Sequence, residues 1–256
     1  MSDAILAAEG LSRRFGGLMA ASNVGIELHR GKLHAVLGPN GAGKTTLINL
    51  LSGELRASAG EIRYKGEDIT GLSPDRRSRI GIGRSYQKTN IFPAFSALEN
   101  CRLAAQSREP RTMYVFADAS RFEPTATAAR QALEAVGLAD RGERAASALS
   151  HGEQRQLEIA MVLATAPEVL LLDEPLAGMG AEEAGRMVEL LRKLTPGHAI
   201  LLVEHDMDAV FAVADLITVM VNGQVLESGA PAQIRASPAV RAAYLGDGGT
   251  IAAEQS

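Results

Sequence analysis

The sequence is poor in the features that define several large classes of protein. Only one of its 256 residues is a cysteine, Cys101, so no intrachain disulfide can form and a reducing compartment is expected. The formal net charge is -4, without a basic bias, which argues against nucleic acid as a partner. Apolar runs such as VLLL and AILLVE are too short to cross a bilayer. The N-terminus lacks the charged leader and apolar core of a signal peptide, so any link to a membrane is expected to go through a partner protein.

A glycine-rich loop between two apolar runs is the first positive signal. The letters GPNGAGKT fit the pattern G-x-x-x-x-G-K-[ST], and they lie between strand-like KLHAVL and helix-like KTTLINLLSG. Gly41 and Gly43 permit positive φ angles, which turn backbone N–H groups inward and form an anion cradle with the helix N-terminus. The alternative is a plain connection between strand and helix, but the full match favours a loop that binds a nucleoside triphosphate.

The other residues of this loop have side chains suited to the same ligand. Lys44 supplies a positive charge for the β and γ phosphates, the Thr45 hydroxyl can ligate Mg²⁺, and Thr46 can reach a phosphate oxygen. The predicted nucleotide-binding residues of the loop are Gly38, Pro39, Asn40, Gly41, Ala42, Gly43, Lys44, Thr45 and Thr46.

A second motif, EVLLLDEP at residues 168–175, places two acids after an apolar run. The run predicts a strand that is buried on both faces of a parallel sheet. Asp173 follows at the carboxyl end, where open α/β sheets bind ligands, and can hold Mg²⁺ directly or through water. Glu174 points elsewhere and can polarise an attacking water molecule. The alternative, that two acids simply end a strand, is weakened by the phosphate-binding loop.

The third motif is LSHGEQRQLEIAMVLA, just ahead of the acidic strand. Ser150 and Glu153 have the spacing of a helix capping box, but capping does not require Gly152. The stretch resembles the signature motif of ATP-binding-cassette proteins. In that family the serine, the glycine and the helix N-terminus contact the γ-phosphate of ATP held by the opposite subunit, which implies this role for Ser150, Gly152 and Glu153. The commonest form has glycine and glutamine where His151 and Glu153 stand.

The same resemblance assigns roles to residues that would carry little signal alone. Gln87, in GIGRSYQ, stands where the family has the glutamine that senses Mg²⁺, water and the transmembrane partner. His205, in AILLVEHD, stands at the switch histidine that contacts the γ-phosphate, although a lone histidine after a strand is more often structural. Phe15, in LSRRFGG, matches the aromatic that stacks on adenine, with a core phenylalanine as the alternative. Gly180 replaces the common aspartate of the subunit-contacting loop, so that contact is not predicted.

The resemblance covers residues 4–246 and is closest to import cassettes for branched-chain amino acids. It implies an α/β fold: a P-loop NTPase core with an N-terminal antiparallel β subdomain and an inserted α-helical subdomain. Residues 4–87 and 157–246 would form the RecA-like core with the antiparallel strands, residues 88–156 the helical subdomain, and residues 247–256 a loose tail. Cassettes for urea, amide or lipopolysaccharide transport look similar and remain alternatives.

The function implied by the resemblance is ATP hydrolysis that drives a membrane importer. Two cassettes, alike or different, would close head to tail around two ATP molecules, with Mg²⁺ on Thr45, Gln87 and Asp173. Glu174 would orient the attacking water, and His205 and Gln87 would complete the catalytic set. The partners would be transmembrane permease subunits, a second cassette and, indirectly, a periplasmic substrate-binding protein, with no nucleic acid. The location would be peripheral, on the cytoplasmic face of the inner membrane.

Two other classes remain as rivals at this point. A cassette ATPase of DNA repair or of the ribosome would usually have long coiled coils or two cassettes, whereas this chain has one cassette and no heptads. A P-loop kinase or GTPase would have no use for the signature motif or the switch histidine.

Overall fold

The structure is a computed structural model that describes residues 4–86, 90–108 and 123–245. Two residues or segments with predicted roles lie outside these ranges: Gln87 and the tail at residues 247–256. The irregular letters of residues 107–124 predict a mobile surface loop, and most of that stretch also lies outside the described residues. Among the described residues, no helix combines the length and the apolar character that a bilayer span requires.

The strands, in chain order, are β1 (Leu6–Phe15), β2 (Leu18–Leu28), β3 (Lys32–Leu37), β4 (Ala59–Tyr64), β5 (Glu67–Asp68), β6 (Ile82–Arg84), β7 (Val169–Asp173), β8 (Ala199–Val203), β9 (Leu216–Val221) and β10 (Gln224–Gly229). The α-helices are α1 (Lys44–Ser52), α2 (Pro74–Ile80), α3 (Ala97–Gln106), α4 (Glu123–Ala135), α5 (His151–Ala164), α6 (Ala181–Leu194), α7 (Met207–Val213), α8 (Pro231–Ala236) and α9 (Pro238–Leu245).

An antiparallel sheet forms in the N-terminal part of the chain, in the order β2-β1-β4-β5. Alternate side chains of β2 are buried, because successive residues of a strand point to opposite faces. Val24, Ile26 and Leu28 are the buried set, as their alternation predicts. Together with α1 they contribute to one of the two hydrophobic clusters found among the described residues.

The second sheet is mostly parallel and has the order β10-β9-β3-β8-β7-β6 within the described residues. Its central strands are buried on both faces, since Leu170 and Leu172 of β7 pack into one hydrophobic cluster and Val169 and Leu171 into the other. Of these six strands only β10 pairs antiparallel, through a hairpin that turns at Asn222–Gly223, both at positive φ, as an Asn-Gly pair between two strand-like stretches predicts. The P-loop α/β fold class is therefore confirmed.

Helices α3, α4 and α5 pack against one another between β6 and β7 in the chain order. Ser96 begins α3 with a reciprocal capping box to Glu99, and Gly137, at φ 80°, follows the end of α4. The division predicted between residues 156 and 157 falls inside α5, which continues without a break. The helix itself thus connects the helical segment with the parallel sheet.

A buried histidine links the two sheets. His34, on β3, is 5% exposed, and its Nδ1 lies 3.0 Å from the Glu27 carbonyl oxygen. Its Nε2 lies 2.7 Å from the Thr218 hydroxyl, which in turn lies 2.6 Å from the Ser228 hydroxyl. Burial lowers the pKa of His34, and the charge of nearby His29 acts in the same direction, against the raising effect of the Glu27 carbonyl.

This lowered pKa makes stability depend on pH. The unfolded chain takes up a proton at His34 below roughly pH 6.5, while the folded protein keeps the ring neutral, so the stabilisation present above that pH is lost as pH falls. Relative to His34→Gln, whose amide can bridge the same two groups without titrating, the wild-type unfolding free energy should fall by up to about 1.4 kcal/mol per pH unit between about pH 6.5 and 5. Urea unfolding at several pH values measures this, and parallel curves for the two proteins would contradict it.

Candidate functional site

The phosphate-binding loop closes at Gly43, which precedes α1 and has a φ of 99°. A Cβ atom here would lie 2.5 Å from the Ala20 carbonyl oxygen, so the position has room only for glycine. The Gly223 N–H donates to the Ala42 carbonyl at 2.9 Å. The start of β2 and the β9–β10 turn thus support the loop from outside. The first N–H groups of α1 have no acceptor within the helix, and its first turn has no acidic side chain, so it can receive an anion.

Lys44 is held inside this loop. Its Nζ donates to the carbonyl oxygens of Gly38 at 2.5 Å and Pro39 at 3.1 Å, and the residue is 6% exposed. Burial lowers the pKa of Lys44, while the carboxylates of Glu174, Asp173 and Glu204 oppose that shift. Phosphate oxygens can take the place of the two carbonyls, because the ammonium is a compact donor without a fixed geometry.

Asp173, the last residue of β7, is 2% exposed. Its Oδ2 lies 3.7 Å from Nη2 of Arg84, whereas its Oδ1 is buried without a hydrogen-bond partner. Burial raises the pKa of this carboxyl group, against the lowering effect of Arg84. A buried carboxylate oxygen that lacks a donor fits a cation or the water of its hydration shell. The described residues contain no cluster of three or more His, Cys, Asp or Glu side chains that could hold a metal, so a cation at Asp173 would need further ligands of other kinds, such as hydroxyl, amide, water or phosphate oxygens.

Glu174 has a backbone conformation that the sequence did not reveal. Its φ is 49°, in the left-handed region that a glutamate rarely adopts, at a cost of about 1–3 kcal/mol. The Glu174 N–H donates to the Val203 carbonyl of β8 at 2.8 Å, which holds the turn in place. Its Oε1 lies 4.0 Å from Nδ1 of His205, a histidine whose side chain is 60% exposed.

Glu204 is the residue of this site that sequence reasoning missed. It precedes His205 and is fully buried, with Oε1 accepting from the Leu176 N–H at 2.8 Å and Oε2 from the His205 N–H at 3.1 Å. Burial raises the pKa of the Glu204 carboxyl, while its two backbone hydrogen bonds oppose that shift. An available signal was the parallel with Asp173, since each is an acid at the carboxyl end of an apolar strand.

The signature segment has the capping geometry that its sequence predicts. The Ser150 hydroxyl accepts from the Glu153 N–H at 3.2 Å, and the Glu153 carboxylate accepts from the Ser150 N–H at 2.8 Å. That backbone hydrogen bond lowers the pKa of Glu153, with Arg141 adding to the effect. These contacts fix the first turn of α5.

The amide of Gly152, in the same turn, already has an anionic partner. The Glu183 carboxylate of α6 accepts from the Gly152 N–H at 3.3 Å. A cavity of about 390 Å³ lies beside the turn. Its lining includes Ser150, Gly152, Glu153, Met179, Glu183 and Arg186, and no residue of the phosphate-binding loop.

The predicted site residues therefore fall into two groups. The first surrounds the carboxyl ends of β3, β7 and β8 and contains Lys44, Asp173, Glu174 and His205. The second is the signature turn. Phe15 ends β1 with 43% exposure, and the Arg13 guanidinium lies 4.6 Å from its ring centroid, so it is not a core residue. Gln87 lies outside the described residues.

Comparisons with known proteins agree with this fold. A family profile described as "ABC transporter" matches residues 21–177, and one described as "Branched-chain amino acid ATP-binding cassette transporter" matches residues 224–250. The High-affinity branched-chain amino acid transport ATP-binding protein LivG of Escherichia coli (strain K12) is 39% identical over 96% of this chain and 100% of its own length. The corresponding protein BraF of Pseudomonas aeruginosa is 40% identical over the same shares.

Among solved structures, the ADP conformation of MJ1267, an ATP-binding cassette of an ABC transporter, superposes with a TM-score of 0.84. The two proteins are 28% identical, and the match covers 96% of this chain and 100% of that one. The chain thus belongs to the ABC transporter family and is an ATP-binding cassette ATPase. Within that family, the match at residues 224–250 shows that its C-terminal segment is similar to that of the branched-chain amino acid cassettes.

Two glycines of the phosphate-binding loop provide a matched test of its packing. Gly41→Ala places a Cβ in open space at φ 78° and should cost about 1 kcal/mol through backbone strain alone. Gly43→Ala adds the clash with the Ala20 carbonyl and should cost about 1–3 kcal/mol more. Urea unfolding without nucleotide measures both, and equal losses would mean that the contact with β2 does not constrain the loop.

Proposed function

We propose that this chain is the ATP-hydrolysing subunit of an importer for branched-chain or related amino acids. The observation that carries the proposal is the match, at 39–40% identity, along the whole length of relatives whose names state that transport, LivG and BraF. The branched-chain profile at residues 224–250 supports the same choice. Cassettes for urea, amide or lipopolysaccharide transport are not favoured by these matches.

ATP would bind at the phosphate-binding loop. The N–H groups at the start of α1 and the Lys44 ammonium would receive the β and γ phosphates, together with the remaining loop residues predicted above. Phe15, exposed at the end of β1, is proposed to stack on adenine, which requires the Arg13 guanidinium to share the ring or to leave it. The lysine would exchange two backbone carbonyls for phosphate oxygens.

Hydrolysis is proposed to depend on groups at the ends of β7 and β8. Glu174 would orient the attacking water, and His205 would contact the transferring phosphoryl group. Thr45 and Asp173 would hold Mg²⁺, with Gln87 as a further ligand, and the ion would neutralise charge on the phosphates. The buried Oδ1 of Asp173, which lacks a donor, fits that assignment.

The signature turn is proposed to act on the ATP of a second cassette. Its separation from the phosphate-binding loop within one chain supports this arrangement, because no loop residue lines the cavity beside Ser150 and Gly152. In a head-to-tail pair, each nucleotide would be held between the loop of one cassette and the signature turn of the other. The Glu183 carboxylate would have to leave the Gly152 amide, since a phosphate and a carboxylate cannot share one donor without repulsion.

The other proposed partners follow from this function. Transmembrane permease subunits would bind the cassettes at the cytoplasmic face of the inner membrane, and a periplasmic substrate-binding protein would act through them. The second cassette could be another copy of this chain or a related one. Neither nucleic acid nor the ribosome has a place in this proposal.

Replacement of the proposed base tests the catalytic assignment. Glu174→Gln keeps the shape of the side chain but cannot accept a proton, so ATP hydrolysis should fall by a factor of about 10²–10⁴. ATP should then remain bound and stabilise a cassette dimer, alone or with a co-expressed second cassette. Phosphate release and light scattering measure the two effects, and hydrolysis at the wild-type rate would refute the role of Glu174.

Uptake by whole cells tests the cargo. Deletion of the gene for this chain should abolish ATP-dependent uptake of radiolabelled leucine, isoleucine and valine while leaving urea uptake unchanged. The wild-type gene should restore uptake and the Glu174→Gln gene should not, which is the matched control. A loss of urea uptake alone would assign the chain to the alternative class of importer.

A further inference from the structure

Glu204 connects two segments to which the proposed mechanism gives separate tasks. Its carboxylate is fully buried, and each oxygen accepts one backbone N–H, from Leu176 at 2.8 Å and from His205 at 3.1 Å. Its own N–H donates to the Val36 carbonyl, near the end of β3, at 3.3 Å. The side chain thereby joins the connections that follow β7 and β8, while the backbone of the same residue is bonded to the strand that enters the phosphate-binding loop.

The Leu176 contact bears on the conformation of Glu174. Residues 174–177 form a tight turn, in which the Ala177 N–H donates to the Glu174 carbonyl at 3.2 Å. Because Glu174 occupies the left-handed region, the turn requires contacts that offset the strain. The hydrogen bond from Leu176 to a buried, charged acceptor is one such contact, since bonds to ionised groups are stronger than neutral ones.

The second oxygen bears on the orientation of His205. Its Nδ1 lies 3.6 Å from Oε2 of Glu204 and 4.0 Å from Oε1 of Glu174. Because carboxylates lie on this side of the ring, they favour the tautomer that carries its proton on Nδ1. Nε2 then faces the open side of the imidazole. The imidazole is 60% exposed, so surrounding side chains do little to hold it in place.

We propose that Glu204 is a positioning residue for ATP hydrolysis, which holds the Glu174 turn and His205 at a fixed separation through its two oxygens. The inference rests on the roles proposed above for Glu174 and His205. A carboxylate suits this place because it offers an acceptor to both N–H groups, whereas an amide offers only one oxygen. Glu204 would act through its neighbours, without touching the nucleotide.

Glu204→Gln is the direct test in the assembled transporter. The amide has nearly the same shape but satisfies only one of the two N–H groups, so the turn and His205 lose their common anchor. We expect kcat for ATP hydrolysis to fall by about tenfold or more, as misplacement of catalytic groups does, with KM for ATP changed less than about threefold. An unchanged kcat, or a rise in KM alone, would overturn the proposal.

A double-variant cycle with His205→Ala separates positioning from general stability. If Glu204 acts through His205, the combined loss in kcat should be much smaller than the product of the two single losses. Multiplicative losses would mean that the two residues act independently, against the proposal. If His205→Ala and Glu174→Gln alone leave hydrolysis intact, the proposed function itself fails, whatever Glu204→Gln does.

Two further variants keep the result interpretable. Glu204→Asp retains both oxygens on a shorter arm that cannot reach both N–H groups, so it should also lower kcat. It serves as the test if Glu204→Gln fails to fold.

Glu168→Gln is the control at the opposite end of β7, where the carboxylate accepts from the Tyr64 hydroxyl at 3.2 Å and pairs with Lys65 and Arg30. It should lower the melting temperature and leave kcat unchanged, and a matching loss of kcat would show that any lost carboxylate contact slows the enzyme.

Discussion

The attraction between one buried lysine and the acids at the ends of two strands is the interaction on which the site depends. Lys44 is nearly inaccessible, and burial lowers its pKa, but the carboxylates of Glu174, Asp173 and Glu204 counter part of that desolvation. The sheet order β3-β8-β7 makes this possible, since the carboxyl ends of adjacent parallel strands meet at one edge. The same charges suit a nucleotide with its cation, because the phosphates can pair with the lysine and the cation with the acids.

The backbone around these charges is constrained by segments that contribute no predicted catalytic or nucleotide-binding side chain. The β9–β10 turn and the start of β2 press against the phosphate-binding loop, and β8 holds Glu174 through the Val203 carbonyl. The antiparallel sheet and the hairpin are therefore part of the site as well as of the fold. Contacts with these strands keep Glu174 in its strained backbone conformation and Gly43 in its crowded position.

The signature turn has a different relation to the rest of the chain. Its first turn is fixed by local hydrogen bonds, those of the capping box of Ser150 and Glu153, and it lies beside a cavity lined by no residue of the phosphate-binding loop. Glu183 satisfies the Gly152 amide at present. A phosphate bound by a second cassette would therefore have to displace this carboxylate, whereas the first N–H groups of α1 have no acceptor within the helix.

The sequence by itself determined the features that depend on neighbouring residues: the glycine loop, the doubly buried strand before Asp173, the capping box at Ser150 and the turn at Asn222–Gly223. Their hydrogen bonds and side-chain periodicities are local, so residue order is enough to predict them. Only the tertiary structure decided that Glu204 accepts from Leu176, 28 residues earlier, and Glu183 from Gly152, 31 residues earlier. Such contacts depend on which strands and helices become neighbours, and that order follows from burial of the whole core, which no short stretch of sequence encodes.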